Sequence, residues 1–257
     1  MASHEIEELF ARALTGDYED QAPWEAVQAL RKIGTREVFE RAAELCRSDD
    51  SLSRARGLDV LGQLGRTFEH RGNTFPEESF AVVIELVQRE KESQPLAAGI
   101  VALGHLGDPR AIPLITKFSS HSSPEIRLDV AFALGCFANE RLSAETLVKL
   151  AEGTNERVRD WATFGLGVLG DADSEEIREA LVRRLTDSDE GVREEAMVSL
   201  GKRKDERVLS SLLVALERPT MTVRVLEAAY EMLGMENERE DWKGTDYALA
   251  LRQRFSL

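Results

Sequence analysis

V-R-D-W-A-T-F-G-L-G-V-L-G, running from Val158 to Gly170, is the stretch that decides the fold. Val158, Ala162, Gly165, Leu166 and Leu169 fall at i, i+4, i+7, i+8 and i+11, the stripe of an amphipathic helix. Small residues inside that stripe allow a neighbouring helix to approach closely. Related phrases stand elsewhere: S-R-A-R-G-L-D-V-L-G-Q-L-G from Ser53, P-L-A-A-G-I-V-A-L-G-H-L-G from Pro95, and I-R-L-D-V-A-F-A-L-G-C-F-A from Ile126. Looser copies begin at Ala22, Val192 and Thr222. Successive starts lie about 31 to 34 residues apart, except for one step of about 42, so each period holds one supersecondary unit.

Each unit reads as a helix pair. The segment between phrases is a second amphipathic helix, as in S-E-E-I-R-E-A-L-V-R-R-L from Ser174, with Ser at the N-cap and acid in the first turn. The closing glycines, such as Gly107 and Gly170, are expected as left-handed C-caps, and Pro109 enforces a stop. No sustained apolar/polar alternation marks a strand. The expected architecture is all-α, an α-solenoid of about seven helix-pair repeats, read as one domain over 1–257. A long loop near 66–75 accounts for the long step, and a cap runs from about 235 to 257.

Composition narrows the function. The chain has 257 residues, 42% of them hydrophobic, which suffices for a packed core. Its formal net charge of −14 repels a polyanion at long range, so nucleic acid is not expected as a partner. No apolar run reaches the ~20 residues of a membrane span, and no secretory signal opens the chain, so a cytoplasmic protein is expected. Cys46 and Cys136 fit no metal-ligand spacing and read as core or groove residues. His4, His70, His105 and His121 are scattered, and no nucleophile elbow, zinc motif or phosphate loop occurs. No cofactor, metal or catalytic residue is therefore expected.

The phrase V-R-x-x-A-x-x-A-L-G-x-L-G-D resembles the short HEAT repeats named after phycobilisome lyases. V-R-D-W-A-T-F-G at 158–165, G-V-R-E-E-A-M-V-S-L at 191–200 and R-K-D-E-R-V-L-S-S-L at 203–212 look like the bacterial YibA-type HEAT proteins. Members of that group sit beside Rhs-type toxin genes and are regarded as immunity proteins, which implies a protein partner. A phycobilin-lyase-like enzyme, lyase subunit or chaperone acting on a protein client is the alternative that the same repeat family implies.

In this family the phrase-bearing helix lines the concave face. Phrase positions three, four, seven and eleven then give Trp24, Gln28, Arg56, Asp59, Gln63, Val101, His105 and Cys136 toward the first half, with Lys202 toward the second. The expected partner-binding residues are Asp129, Phe132, Asp160, Trp161, Phe164, Glu194 and Glu195, an acidic and aromatic set suited to a basic protein partner met by a monomer. The recurring Arg at position two (Arg54, Arg127, Arg159, Arg193) is expected to pair with acids of the turns rather than to bind phosphate.

Overall fold

A computed structural model describes residues 3–236, 239 and 241–257. Part of the acidic stretch that opens the expected C-terminal cap (Asn237, Glu238 and Glu240) lies outside the described residues, as do Met1 and Ala2. The described elements are helical throughout, and they pair in chain order. The pairs are α1 (Ser3–Ala13) with α2 (Gln21–Ile33), α3 (Arg36–Leu45) with α4 (Ser51–Gly62), and α5 (Pro76–Arg89) with α6 (Ser93–Leu106). A 3-10 turn at Pro109–Ala111 leads into α7 (Ile112–Thr116), whose pair mate is α8 (Pro124–Gly135). Next come α9 (Arg141–Leu150) with α10 (Glu156–Phe164), α11 (Glu175–Arg184) with α12 (Glu190–Lys202), and α13 (Leu209–Leu216) with α14 (Val223–Leu233). The last helix is α15 (Gly244–Phe255). The protein is an α-solenoid of helix-pair repeats.

Packing groups the chain into two compact units, residues 1–133 and 134–257. In the first, α2, α4 and α6 pack side by side around Val27, Leu30, Leu58, Leu61, Ile100 and Leu103, none of them reachable by solvent. In the second, α10, α12 and α14 do the same around Ala162, Val192, Ala196, Leu200 and Ala228. No shift of composition marks the division.

The repeated glycine is explained by contact between phrase helices. A Cβ on Gly62 would stand 2.8 Å from the Ala102 Cβ, and one on Gly104 would stand 2.8 Å from the Ala133 Cα. A Cβ on Gly201 would lie 2.6 Å from the Ala228 carbonyl oxygen. Gly167 is pressed against Ser199 in the same way. Phrase helices of neighbouring repeats thus cross with backbone nearly on backbone, and only glycine facing a small residue permits it.

The position-two arginines lock the turns. Arg54, Arg127, Arg159 and Arg193 each donate Nη1 to the carbonyls six and five residues back, at 2.6–3.2 Å. Two also reach the following repeat: Arg159 forks onto Asp187 at 2.7 Å through both Nε and Nη2, and Arg54 takes Glu90 and Glu92. The expected carboxylate pairing therefore holds for Arg159 with a turn acid. It holds for Arg54 too, whose acids Glu90 and Glu92 lie in the turn between α5 and α6, and the turn carbonyls are the partners common to all four.

The 158–170 phrase departs from expectation at its end. Gly107 is a left-handed cap at φ 70°, but Gly170 is extended at φ −109°, and Leu169 is 45% exposed instead of lying in the stripe. Residues Gly165–Leu169 form a π-turn, whose i→i+5 pairing rotates everything after it away from the α register. Carbonyls near that turn are taken by one side chain. Arg203 Nη2 donates to Leu166 at 2.8 Å, Ala172 at 2.7 Å and Gly170 at 3.3 Å.

The loop between α4 and α5 carries no regular structure. Its far end is anchored: Asn73 Nδ2 donates to the Leu61 carbonyl at 2.7 Å, and Phe75 meets Phe39 under the Arg36 guanidinium. Its tip, Phe68, is 97% exposed.

Candidate partner-binding site

In the second unit, the phrase helices α10, α12 and α14 present Trp161, Glu195 and Arg224 at equivalent positions of successive repeats. Arg224 Nη2 holds Glu195 Oε1 at 2.8 Å; the arginine is half exposed, while the glutamate is 2% exposed. One position earlier stand Asp160 and Glu194. Glu194 is also buried and accepts the Thr222 hydroxyl at 2.8 Å, beside a cavity of about 160 Å³ lined by Glu190, Arg218 and Val225. Three positions on from Arg224, Glu227 lies 3.7 Å from the Lys202 ammonium.

The electrostatics of this set is unbalanced. Burial pushes the Glu195 carboxyl up to about 7; Arg224 opposes the push, and Asp160 and Glu227 add to it. Burial likewise raises Asp160, with Arg224 opposing and Asp189 adding. Asp160 Oδ1 is buried and has no hydrogen-bond partner among the described residues. A buried acceptor without a donor costs roughly 1–3 kcal/mol, which an incoming cationic donor would recover. Trp161 lies edge-on to Phe164, centroids 5.6 Å apart and planes at 83°, both half-buried on the same helix. Carboxylates beside an aromatic pair form a receptor for a guanidinium or ammonium group.

Asp160, Trp161, Phe164, Glu194 and Glu195 thus belong to one unit, with Glu194 and Glu195 sunk into it more deeply than their phrase positions suggest. Asp129 and Phe132 belong to the other unit, both half-buried, and Phe132 meets His105 edge-on at 5.2 Å. Arg224 and Glu227 escaped the sequence reading because the last phrase, T-V-R-V-L-E-A-A-Y, lacks the Ala-Leu-Gly that sets the register. The contact of Gly201 with Ala228 supplies that register.

Two groove residues expected in the first unit are covered. Arg56 has no exposure: Nε donates to the Ala13 carbonyl at 3.1 Å and Nη2 to the Tyr18 carbonyl at 2.8 Å, with the guanidinium over the Tyr18 and Trp24 rings. Asp59 accepts the Tyr18 hydroxyl at 3.0 and 3.1 Å. The segment linking α1 to α2 closes over both, a tertiary event that no helical wheel records.

Two overlapping stretches, residues 80–167 and 144–234, match the family model described as HEAT repeats. The chain belongs to the HEAT-repeat family. Among relatives of this HEAT chain, protein YibA of Escherichia coli strain K12 is 26% identical over 232 residues, covering 88% of this chain and 80% of YibA. The X-ray structure of the E. coli YibA protein superposes with a TM-score of 0.72 at 24% identity, over 96% of this chain and 91% of that one. The phycocyanobilin lyase subunit alpha of Thermosynechococcus vestitus is 30% identical over 146 residues, 56% of this chain and 53% of the lyase subunit. An archaeal HEAT-like repeats protein from Thermococcus onnurineus shares the fold at a TM-score of 0.56 and 17% identity, over 88% and 95% of the two chains. Among the described residues no helix is long and apolar enough to cross a membrane.

Proposed function

We propose that this HEAT-repeat protein is a non-catalytic binding module whose second unit grips a basic partner protein, with Asp160, Glu195 and Trp161 receiving a cationic side chain. The observation that carries this is the buried Asp160 oxygen without a donor, set beside a carboxyl raised to about 7. Both defects are relieved by one guanidinium. Asp129 and Phe132, on the first unit, are proposed as further partner-binding residues, and the repeat phrase running through both units supports treating the chain as one solenoid. The resemblance to YibA-type proteins supports a narrower version, neutralisation of a toxin domain by occlusion, by a protein acting as a monomer.

Affinity capture with the full chain, followed by titration of the recovered partner, tests the reading. Asp160→Lys and Trp161→Ala are each expected to weaken binding tenfold or more, the scale of a lost anchor contact. Unchanged affinity in both would sink the assignment. A second reading, a lyase subunit acting on a pigment-bearing protein, rests on the 30% identity with the phycocyanobilin lyase subunit alpha. It requires a change in absorption when the protein is mixed with a bilin and an apo-phycobiliprotein.

A further inference from the structure

We propose that the cavity beside Glu194 is a seat for a primary ammonium group, the end of a lysine side chain of the partner protein. The seat deepens the proposed function by giving the partner a second anchor. Only the origin of the ammonium in a protein rests on that reading.

Glu194 is 6% exposed on α12. The nearest carboxylates on that helix each have an arginine: Glu190 holds Arg218 at 2.7 Å, and Glu195 holds Arg224 at 2.8 Å. Among the described residues no ion pair reaches Glu194, whose one side-chain bond is to the Thr222 hydroxyl at 2.8 Å. A carboxylate withdrawn from water without a cation is costly, and buried charges in folded proteins are ordinarily paired.

Thr222 is itself a departure. It stands at the N-cap of α14, where its counterparts Asp50, Asn155 and Asp189 accept the amide three residues on at 2.8–3.1 Å. Thr222 makes no such cap and gives its hydroxyl to Glu194 instead. That bond occupies Oε2 and leaves Oε1 without a donor among the described residues.

The cavity has a volume of about 160 Å³. Glu190, Glu194 and Arg218 line it, two carboxylates against one guanidinium, so one negative charge is in excess. Thr220 and Thr222 bring hydroxyl oxygens to it, and Met221 and Val225 supply apolar wall for the methylenes of a lysine stem. Its volume is several times the roughly 30 Å³ share of a water molecule, to which an ammonium group is close in size. One free carboxylate oxygen cannot take both prongs of a guanidinium fork. A compact ammonium with three donors suits a single carboxylate oxygen flanked by hydroxyls.

NMR of the full chain, carbon-13 labelled at the methionine methyls, tests the seat, with Met221 assigned by its loss in Met221→Leu. The probes are Nα-acetyl-lysine methylamide, its arginine counterpart, and its norleucine counterpart, which keeps the carbon chain without the charge. Each is titrated at pH 7 and constant ionic strength. A saturable shift of the Met221 methyl is expected with the lysine probe, none with norleucine, and binding at least tenfold weaker with arginine. Glu194→Gln, which keeps an acceptor for Thr222, is expected to weaken the lysine response at least tenfold. No saturable shift with the lysine probe, an equal response to either counterpart, or an unchanged response in Glu194→Gln would overturn the seat. The probes are free amino-acid derivatives, so failure here leaves the Asp160 and Trp161 reading standing. That reading falls separately, on the partner titrations with Asp160→Lys and Trp161→Ala.

Discussion

Glu195, proposed above for recognition, opposes the stability of the fold. Its carboxyl lies near 7 in the fold against an ordinary 4.5. Between those values the folded state holds a proton that the unfolded chain has released. Raising the pH through that window therefore costs stability, and above 7 the penalty is complete. Glu195→Gln is expected to be more stable than wild type at pH 8 by about 1 kcal/mol. That figure is discounted because solvent reaches the Arg224 end of the pair. Denaturant melts at pH 8 and pH 5 check it: the two proteins should converge at pH 5, and a wild type that is the more stable at pH 8 would contradict the assignment. The sequence showed that acid would collect near Trp161. It did not show how deep each acid lies, because Glu194 and Glu195 are buried by α14, whose phrase is degenerate.

At the scale of the element, the repeat was legible because it records a contact. The glycines at phrase position ten, Gly62, Gly104, Gly167 and Gly201, mark where the next phrase helix crosses, so a period of backbone crossings appears as a period of glycines. Gly201→Ala is expected to cost about 1–3 kcal/mol, because its Cβ would lie 2.6 Å from the Ala228 carbonyl, a backbone atom that cannot rotate away. Gly107→Ala serves as the contrast, having nothing within 4 Å and paying only for its φ of 70°, about 1 kcal/mol. Thermal melts of the two distinguish crowding from conformation; a Gly201→Ala protein melting with wild type would remove the crossing argument. The π-turn at Gly165–Leu169 was not legible for a related reason. G-L-G-V-L-G satisfies the α stripe in sequence, and what shifts the register is close packing against Ala138 and Ser199 together with the donors of Arg203, two of them in the next repeat.

For the molecule as a whole, the charge of −14 would set how the proposed basic partner arrives, and the acidic and aromatic set of the second unit how long it stays. Long-range attraction acts on the encounter and is screened over about 8–10 Å at physiological salt. A cation seated between Asp160 and Glu195 is sheltered from that screening, because Asp160 Oδ1 and the Glu195 carboxylate are buried. The proposed basic partner is therefore expected to associate about tenfold or more slowly between 0.05 and 0.5 M sodium chloride. Its dissociation rate should change far less, and Asp160→Lys should act chiefly on dissociation. Stopped-flow or surface-binding kinetics across that salt range separates the two rates. An association rate indifferent to salt, with Trp161→Ala still weakening the complex, would mean that the aromatic pair is the anchor and the partner is apolar where it meets this face.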